Sequence, residues 1–160
     1  LSTYYDPPPR DLPGELPQMN DQDTKGDGMD GIIRFPEGLL GFPDTTEYRL
    51  VDGPGDGLFW LVAADDAGPT YLLSDPFRFF EGYSLVLNEA QSERIGAASA
   101  SDVAVLAITV PGNDSEAWTA NLRGPVVINV VDSKGAQLIL TDETADLRRP
   151  FMPELSPVAA

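Results

Sequence analysis

The stretch EYRLVDGPGDGLFWLVAADDAGPTYLLS, residues 47–74, spells three short strands and two tight connections. Glu47–Val51 alternates, with Tyr48 and Leu50 on one face and Glu47 and Arg49 on the other, the period of a half-buried strand. Gly53-Pro54-Gly55-Asp56-Gly57 then forces a turn. Leu58–Ala63 is apolar on both faces, Asp65–Pro69 turns again, and Thr70–Ser74 follows as a third strand.

The same rhythm extends in both directions. Upstream, Gly31–Phe35 places Ile33 and Phe35 on one face. Downstream, Ser84–Leu87, Asp102–Val110, Glu116–Leu122, Val126–Val131 and Ala136–Thr141 read as further strands, joined by a Pro-Gly-Asn-Asp loop at 111–114 and by Asp132–Gly135. Asp102–Val110 carries the strongest signal, with Val103 and Val105 on one face and Leu106, Ile108 and Val110 on the other. Strands apolar on both faces belong to a covered sheet. One short helix is expected, capped by Asn88, with Gln91 as the reciprocal partner and Gly96 as the stop. The expected fold is all-β: a small closed or partly closed antiparallel β-barrel-like domain with one short helix.

The chain has 160 residues, a one-domain length. Residues 1–31 hold five prolines and seven acids, too few branched apolar side chains to offset chain entropy, and read as a disordered acidic, proline-rich arm. Residues 32–147 form the barrel-like body, and 148–160, with Pro150, Pro153 and Pro157, an irregular C-terminal tail.

Composition narrows the chemistry. There is no Cys and no His, which excludes a Cys nucleophile, a disulfide framework, a zinc or iron–sulfur site, a Ser-His-Asp triad and a His base. The net charge of −16 argues against a nucleic-acid surface, which needs clustered Lys and Arg, and fits either solubility or a basic protein partner. The acids Asp21, Asp23, Asp27 and Asp30 do not make a calcium loop: counted from Asp21, Lys25 stands at the fifth position and Ile32 at the twelfth, where a bidentate Glu is needed. The glycines at 53–57 precede neither a Lys-Ser/Thr pair nor a helix, so they form no phosphate cradle. No catalytic constellation assembles, and no cofactor or metal is expected. The longest unbroken apolar run, Leu58–Ala64, is far short of a membrane span. With no signal peptide in view, a cytoplasmic protein is expected.

Two segments stand out. Phe35-Pro36-Glu37-Gly38-Leu39-Leu40-Gly41-Phe42 is a shaped, partly apolar turn after the first body strand. Asp75-Pro76-Phe77-Arg78-Phe79-Phe80-Glu81-Gly82-Tyr83 concentrates aromatics in one interrupted stretch, fit either to plug a barrel end or to dock a partner.

In order along the chain, these and other segments resemble the FliW family of bacterial flagellar assembly factors. The resemblance runs over about residues 31–150: Ile33–Phe42, Phe59-Trp60-Leu61, Asp75-Pro76-Phe77, Asp102–Leu106, Thr119–Asn129 and Gly135–Leu140. Leu40 stands where the family often has Pro. The resemblance implies a non-enzymatic β-barrel-like cytoplasmic protein with two partners. One is flagellin; the other is CsrA, the RNA-binding translational repressor of flagellin messenger RNA. Free protein would bind CsrA and relieve repression, and accumulated flagellin would capture the protein and free CsrA. It also implies no direct nucleic acid, no membrane and a monomer when free.

The residues expected at a partner surface are Glu37, Leu39, Leu40 and Phe42 of the first segment, Asp75 and Phe77 of the second, and Asn121, Arg123 and Asn129. Asn121 and Asn129 fit two roles, tying down backbone or facing a partner. Phe35 and Ile128 are expected in the core. The competing reading is a small-ligand or carbohydrate-binding barrel using Trp60, Tyr83 or Trp118 as stacking platforms. A third reading is a hydrolase using a carboxylate pair, which would stand about 5–9 Å apart.

Overall fold

A computed structural model describes residues 31–142 and 144–155, together with the backbone of residues 2–5. The elements run β1 (Ser2–Tyr5), β2 (Ile32–Arg34), β3 (Glu47–Asp52), β4 (Leu58–Ala63), β5 (Thr70–Ser74), α1 (Pro76–Phe79), β6 (Leu85–Asn88) and α2 (Glu89–Ile95). A short 3₁₀ turn (Ala100–Asp102) follows, then β7 (Val103–Val110), β8 (Trp118–Ala120), β9 (Val126–Asn129), β10 (Lys134–Gln137) and β11 (Arg149–Phe151).

The strand order β7-β5-β4-β3-β2-β10-β9 closes on itself through β7–β9, giving a barrel of seven strands. The residue 47–74 meander forms its wall in register, with Leu50 opposite Leu61 and Leu61 opposite Tyr71. Every ladder of the wall is antiparallel except β10–β2, a single parallel pair of Lys134 with Arg34, so the barrel is mixed. Beyond the ring, β8 pairs with the end of β7, and β11 pairs with β8.

The interior is filled by the inward residues of successive strands: Phe35, Tyr48, Leu50, Phe59, Leu61, Leu73, Ala104, Leu106, Val126 and Ile128. β7 and β9 are apolar on both faces because their outer sides are covered too. The crossover from β5 to β7 lays Leu85, Leu87 and Ile95 over Val103, Val105, Val127, Ala136 and Leu138. Phe80, Ala107, Ala120, Leu122 and Phe151 form a third cluster where β8 and β11 meet the wall.

α2 forms as its sequence dictates. Asn88 accepts from the Gln91 N–H at 2.8 Å, Gln91 Oε1 accepts from the Asn88 N–H at 2.9 Å, and Gly96 ends the helix at φ +70°. Only Ile95 of this helix is buried; Ala90 faces solvent.

Several expectations are corrected. A second helix, α1, occupies Pro76–Phe79, because Asp75 caps it and Pro76 fits a first helical position. The strands expected at Glu116–Leu122 and Ala136–Thr141 are shorter ladders, although Leu138 and Leu140 still donate to the carbonyls of Pro125 and Arg123. Arg149–Phe151, within the expected irregular tail, is a strand anchored by buried Phe151. In the expected arm, Ser2–Tyr5 pairs antiparallel with β6, and residues 6–30 lie outside the described residues.

Candidate partner surface

The Phe35–Phe42 turn is held at both ends and in the middle. The Phe35 N–H donates to the Thr46 carbonyl at 2.7 Å, the Gly38 N–H to the Phe35 carbonyl at 2.7 Å, and the Phe42 N–H to the Leu39 carbonyl at 2.8 Å. Gly38 and Gly41 sit at φ +68° and +88°, where a side chain is strained. At Gly38 a Cβ would also lie 2.4 Å from the Phe42 carbonyl oxygen.

This geometry splits the apolar residues. Leu39 points into the core, whereas Leu40 is 61% exposed and Phe42 45% exposed. Phe42 stands edge-on to Tyr71 at 6.4 Å, Tyr71 lies 6.2 Å from Tyr48, and Tyr48 stands edge-on to Phe35 at 5.4 Å. The exposed ring is therefore the outer end of an aromatic file running into the barrel. Burial, reinforced by neighbouring Tyr71, pushes the Tyr48 hydroxyl up to about 12. Burial also raises Tyr71.

Gln137 ties this turn to the second family segment. Its side chain is buried, its Oε1 accepts from the Leu40 N–H at 3.0 Å, and its Nε2 donates to the Gly124 carbonyl at 3.0 Å. Asn121 shapes the same loop from within, its Oδ1 accepting from the N–H groups of Arg123 and Gly124 at 2.9 and 3.0 Å. Arg123 donates through Nε to the Ala145 carbonyl at 3.1 Å. Sequence reading passed over Gln137, although a lone amide between Ala136 and Leu138 in an apolar strand is a signal, because a buried amide must find partners.

Glu37 pairs with Arg94 of α2 at 2.8 Å. The pair lines a cleft of about 290 Å³ with Pro36, Glu93, Lys134, Gly135 and Ala136. The remaining expected site residues tie down helix ends. Asn129 is buried at the end of α2, donating to the Ile95 carbonyl at 2.9 Å and accepting from the Val131 and Asp132 N–H groups. Asp75 is buried as the cap of α1, accepting from the Phe77 N–H at 3.0 Å. Phe77 packs edge-on against Tyr83 at 5.0 Å. Gln137 thus joins Leu40 of the turn to the loop shaped by Asn121 and holding Arg123, the Glu37–Arg94 pair joins the turn to α2, whose end Asn129 holds, and Asp75 and Phe77 belong to α1.

Of the stacking platforms of the competing reading, Tyr83 and Trp118 both pack on the third apolar cluster, and Trp60 is not part of it. Tyr83 packs on Phe77, and burial pushes its hydroxyl up to about 12. Trp118 stands edge-on to Phe151 at 6.3 Å. Trp60 lies on β4, paired across the ladders with Val51 and Leu72. Among the described residues, no group of three or more Asp, Glu, His or Cys could hold a metal ion, and no helix is long and apolar enough to cross a membrane.

The family model described as "FliW protein" matches residues 22–151. A flagellar assembly factor FliW of Symbiobacterium thermophilum is 40% identical over 125 residues, covering 77% of this chain and 91% of that protein. One of Leptospira biflexa is 30% identical over 131 residues, covering 81% and 86%. A crystal structure of the flagellar assembly factor FliW superposes with a TM-score of 0.72 at 27% identity, over 80% of this chain and 90% of that one. The matched span contains the whole barrel, the Phe35–Phe42 turn and the Gln137 tie, and on these grounds the chain belongs to the FliW family.

Proposed function

We propose that this flagellar assembly factor works in the cytoplasm by exchanging two protein partners, CsrA and flagellin, and performs no catalysis. Bound to CsrA, it relieves translational repression of flagellin; bound to flagellin, it releases CsrA. The exchange is mass action on a shared pool, since a ligand that occupies the free protein lowers the amount available to its competitor.

The observation that carries this reading is the presentation of Leu40 and Phe42. Two large apolar side chains stand exposed on a backbone fixed by Gln137 and two positive-φ glycines. Binding energy concentrates in such anchors, and a turn already rigid loses little freedom on association. The net charge of −16 complements a basic RNA-binding protein and supports the CsrA half.

The test is capture of purified CsrA and flagellin by the full chain and by Leu40→Glu/Phe42→Glu. The expected result is that the parent captures each alone, that excess flagellin displaces CsrA, and that the variant keeps its melting temperature within a few degrees but loses capture. A parent chain that captures neither protein, or a variant that captures both undiminished, overturns the proposal.

A further inference from the structure

β6 is held in place from one side only. Leu85 and Leu87 anchor it in the outer cluster, Val86 and Asn88 point away, and the capping box of α2 pins its end. It takes no part in the barrel ladders; among the described residues its single ladder partner is β1, with Ser2 opposite Asn88, Thr3 opposite Leu87, Tyr4 opposite Val86 and Tyr5 opposite Leu85. The fold therefore offers a strand edge outside the barrel, where a row of N–H and C=O groups invites pairing with an extended segment.

The built-in cover is short. Pro7, Pro8 and Pro9 follow within two residues of Tyr5, and proline donates nothing to a ladder, so the pairing cannot lengthen in that direction. A two-stranded ribbon of four residues is marginal in water. β1 also lies against the 3₁₀ turn and α2, and the covalent connection through residues 6–30 keeps the local concentration of the segment high. Such an occupant yields to a competing strand with more to offer. The surroundings say which kind: exposed Glu81 and Glu89 flank β6 on either side, in a chain of net charge −16.

We propose that the β6 edge is a strand-docking site, that Ser2–Tyr5 is its intramolecular occupant, and that an extended Lys- or Arg-bearing segment of another protein enters by displacing it. Main-chain bonds supply the affinity and the flanking acids the preference for basic ends. The arm sets a threshold, since the apparent affinity of any such partner is its intrinsic affinity multiplied by the fraction of edges left uncovered.

The test uses the full isotopically labelled chain and its Thr3→Pro/Tyr4→Pro variant. The two prolines are adjacent, so one of them removes a ladder donor whichever phase the pairing takes. The probe is the synthetic peptide Lys-Lys-Ser-Thr-Tyr-Tyr-Lys-Lys, with a Glu-flanked counterpart and a form N-methylated at both tyrosines. The variant is expected to bind the Lys-flanked peptide at least tenfold more tightly than the parent, with amide shifts centred on Leu85–Asn88. The Glu-flanked peptide should bind several-fold more weakly and the N-methylated one not at all. Equal binding by parent and variant, no binding by the variant, shifts centred elsewhere, equal binding of the N-methylated or Glu-flanked peptide, or loss of the barrel spectrum in Thr3→Pro/Tyr4→Pro each overturns the proposal. A parent dimer abolished by the same prolines overturns it too, in favour of a second copy as occupant.

Discussion

The buried amide of Gln137 accepts a hydrogen bond from the exposed Leu40 through its backbone N–H at 3.0 Å, and with its other end donates to the Gly124 carbonyl at 3.0 Å. One side chain thus fixes the position of an exposed apolar residue from inside the protein and couples two segments far apart in sequence.

Replacing Gln137 with Leu keeps the volume and removes both bonds. The buried Gly124 carbonyl then loses its partner, at a cost of about 1–3 kcal/mol, and the Leu40 N–H, beside solvent, loses its own at less. Urea denaturation is expected to report a loss in that range, and capture of a partner that uses Leu40 is expected to weaken beyond it. Unchanged stability would show that solvent replaces both partners freely.

The glycines of the same turn separate conformational strain from collision. Gly41→Ala meets no atom within 4 Å and bears only the left-handed backbone at φ +88°, about 1–2 kcal/mol. Gly38→Ala carries the same strain and also drives a methyl group against the Phe42 carbonyl and the Pro43 backbone. Thermal unfolding is expected to show Gly38→Ala as clearly the more damaging of the two. Equal losses would mean that the turn shifts to make room.

How much of this was legible in the sequence depends on the range of the interactions. In the meander at residues 47–74, Glu47–Val51 marks its inward face by alternation, and Tyr48 and Leu50 are buried as that pattern requires, whereas Leu58–Ala63, apolar on both faces, leaves the inward face of Phe59 and Leu61 to the fold. α2 was readable from its ends, because Asn88, Gln91 and Gly96 act locally. The parallel β10–β2 pair and the β1–β6 pair were not, since register between distant segments leaves no local mark. For the candidate surface, the sequence identified the turn but not the division within it. Leu39 and Leu40 are adjacent and chemically identical, and only the bridge of Leu39 to Phe42 sends one inward and the other outward. Asn121 and Asn129 take the backbone-tying role, a choice that depended on which N–H groups the fold would bring to them.

Alkaline stability should follow the buried tyrosines. Tyr48 and Tyr83 are pushed from the ordinary value of 10.0 to about 12, in both cases chiefly by burial. The folded state therefore holds its phenolic protons where the unfolded chain has already released them. Stability from this source is complete below about pH 10 and declines as pH rises toward 12. Chemical unfolding measured across that interval is expected to show the decline, and Tyr48→Phe should flatten it. An equal slope in the parent and in Tyr48→Phe would remove Tyr48 as a cause.

Charge and apolar contact should separate in the kinetics of partner binding. Residues 32–147 carry 18 acids against six bases, so a basic partner is attracted from a distance before any side chain touches. That attraction is screened over about 10 Å at 0.1 M salt and about 3 Å at 1 M. Leu40 and Phe42 act only on contact, where salt does little. The association rate with CsrA is therefore expected to fall by roughly tenfold or more between low and near-molar salt, while the dissociation rate changes little. Stopped-flow mixing over a salt series measures both. A flat association rate would assign the acidity to solubility and leave the apolar turn to drive encounter alone; a dissociation rate that climbs in step with salt would instead place charged pairs at the centre of the interface and Leu40 and Phe42 at its edge.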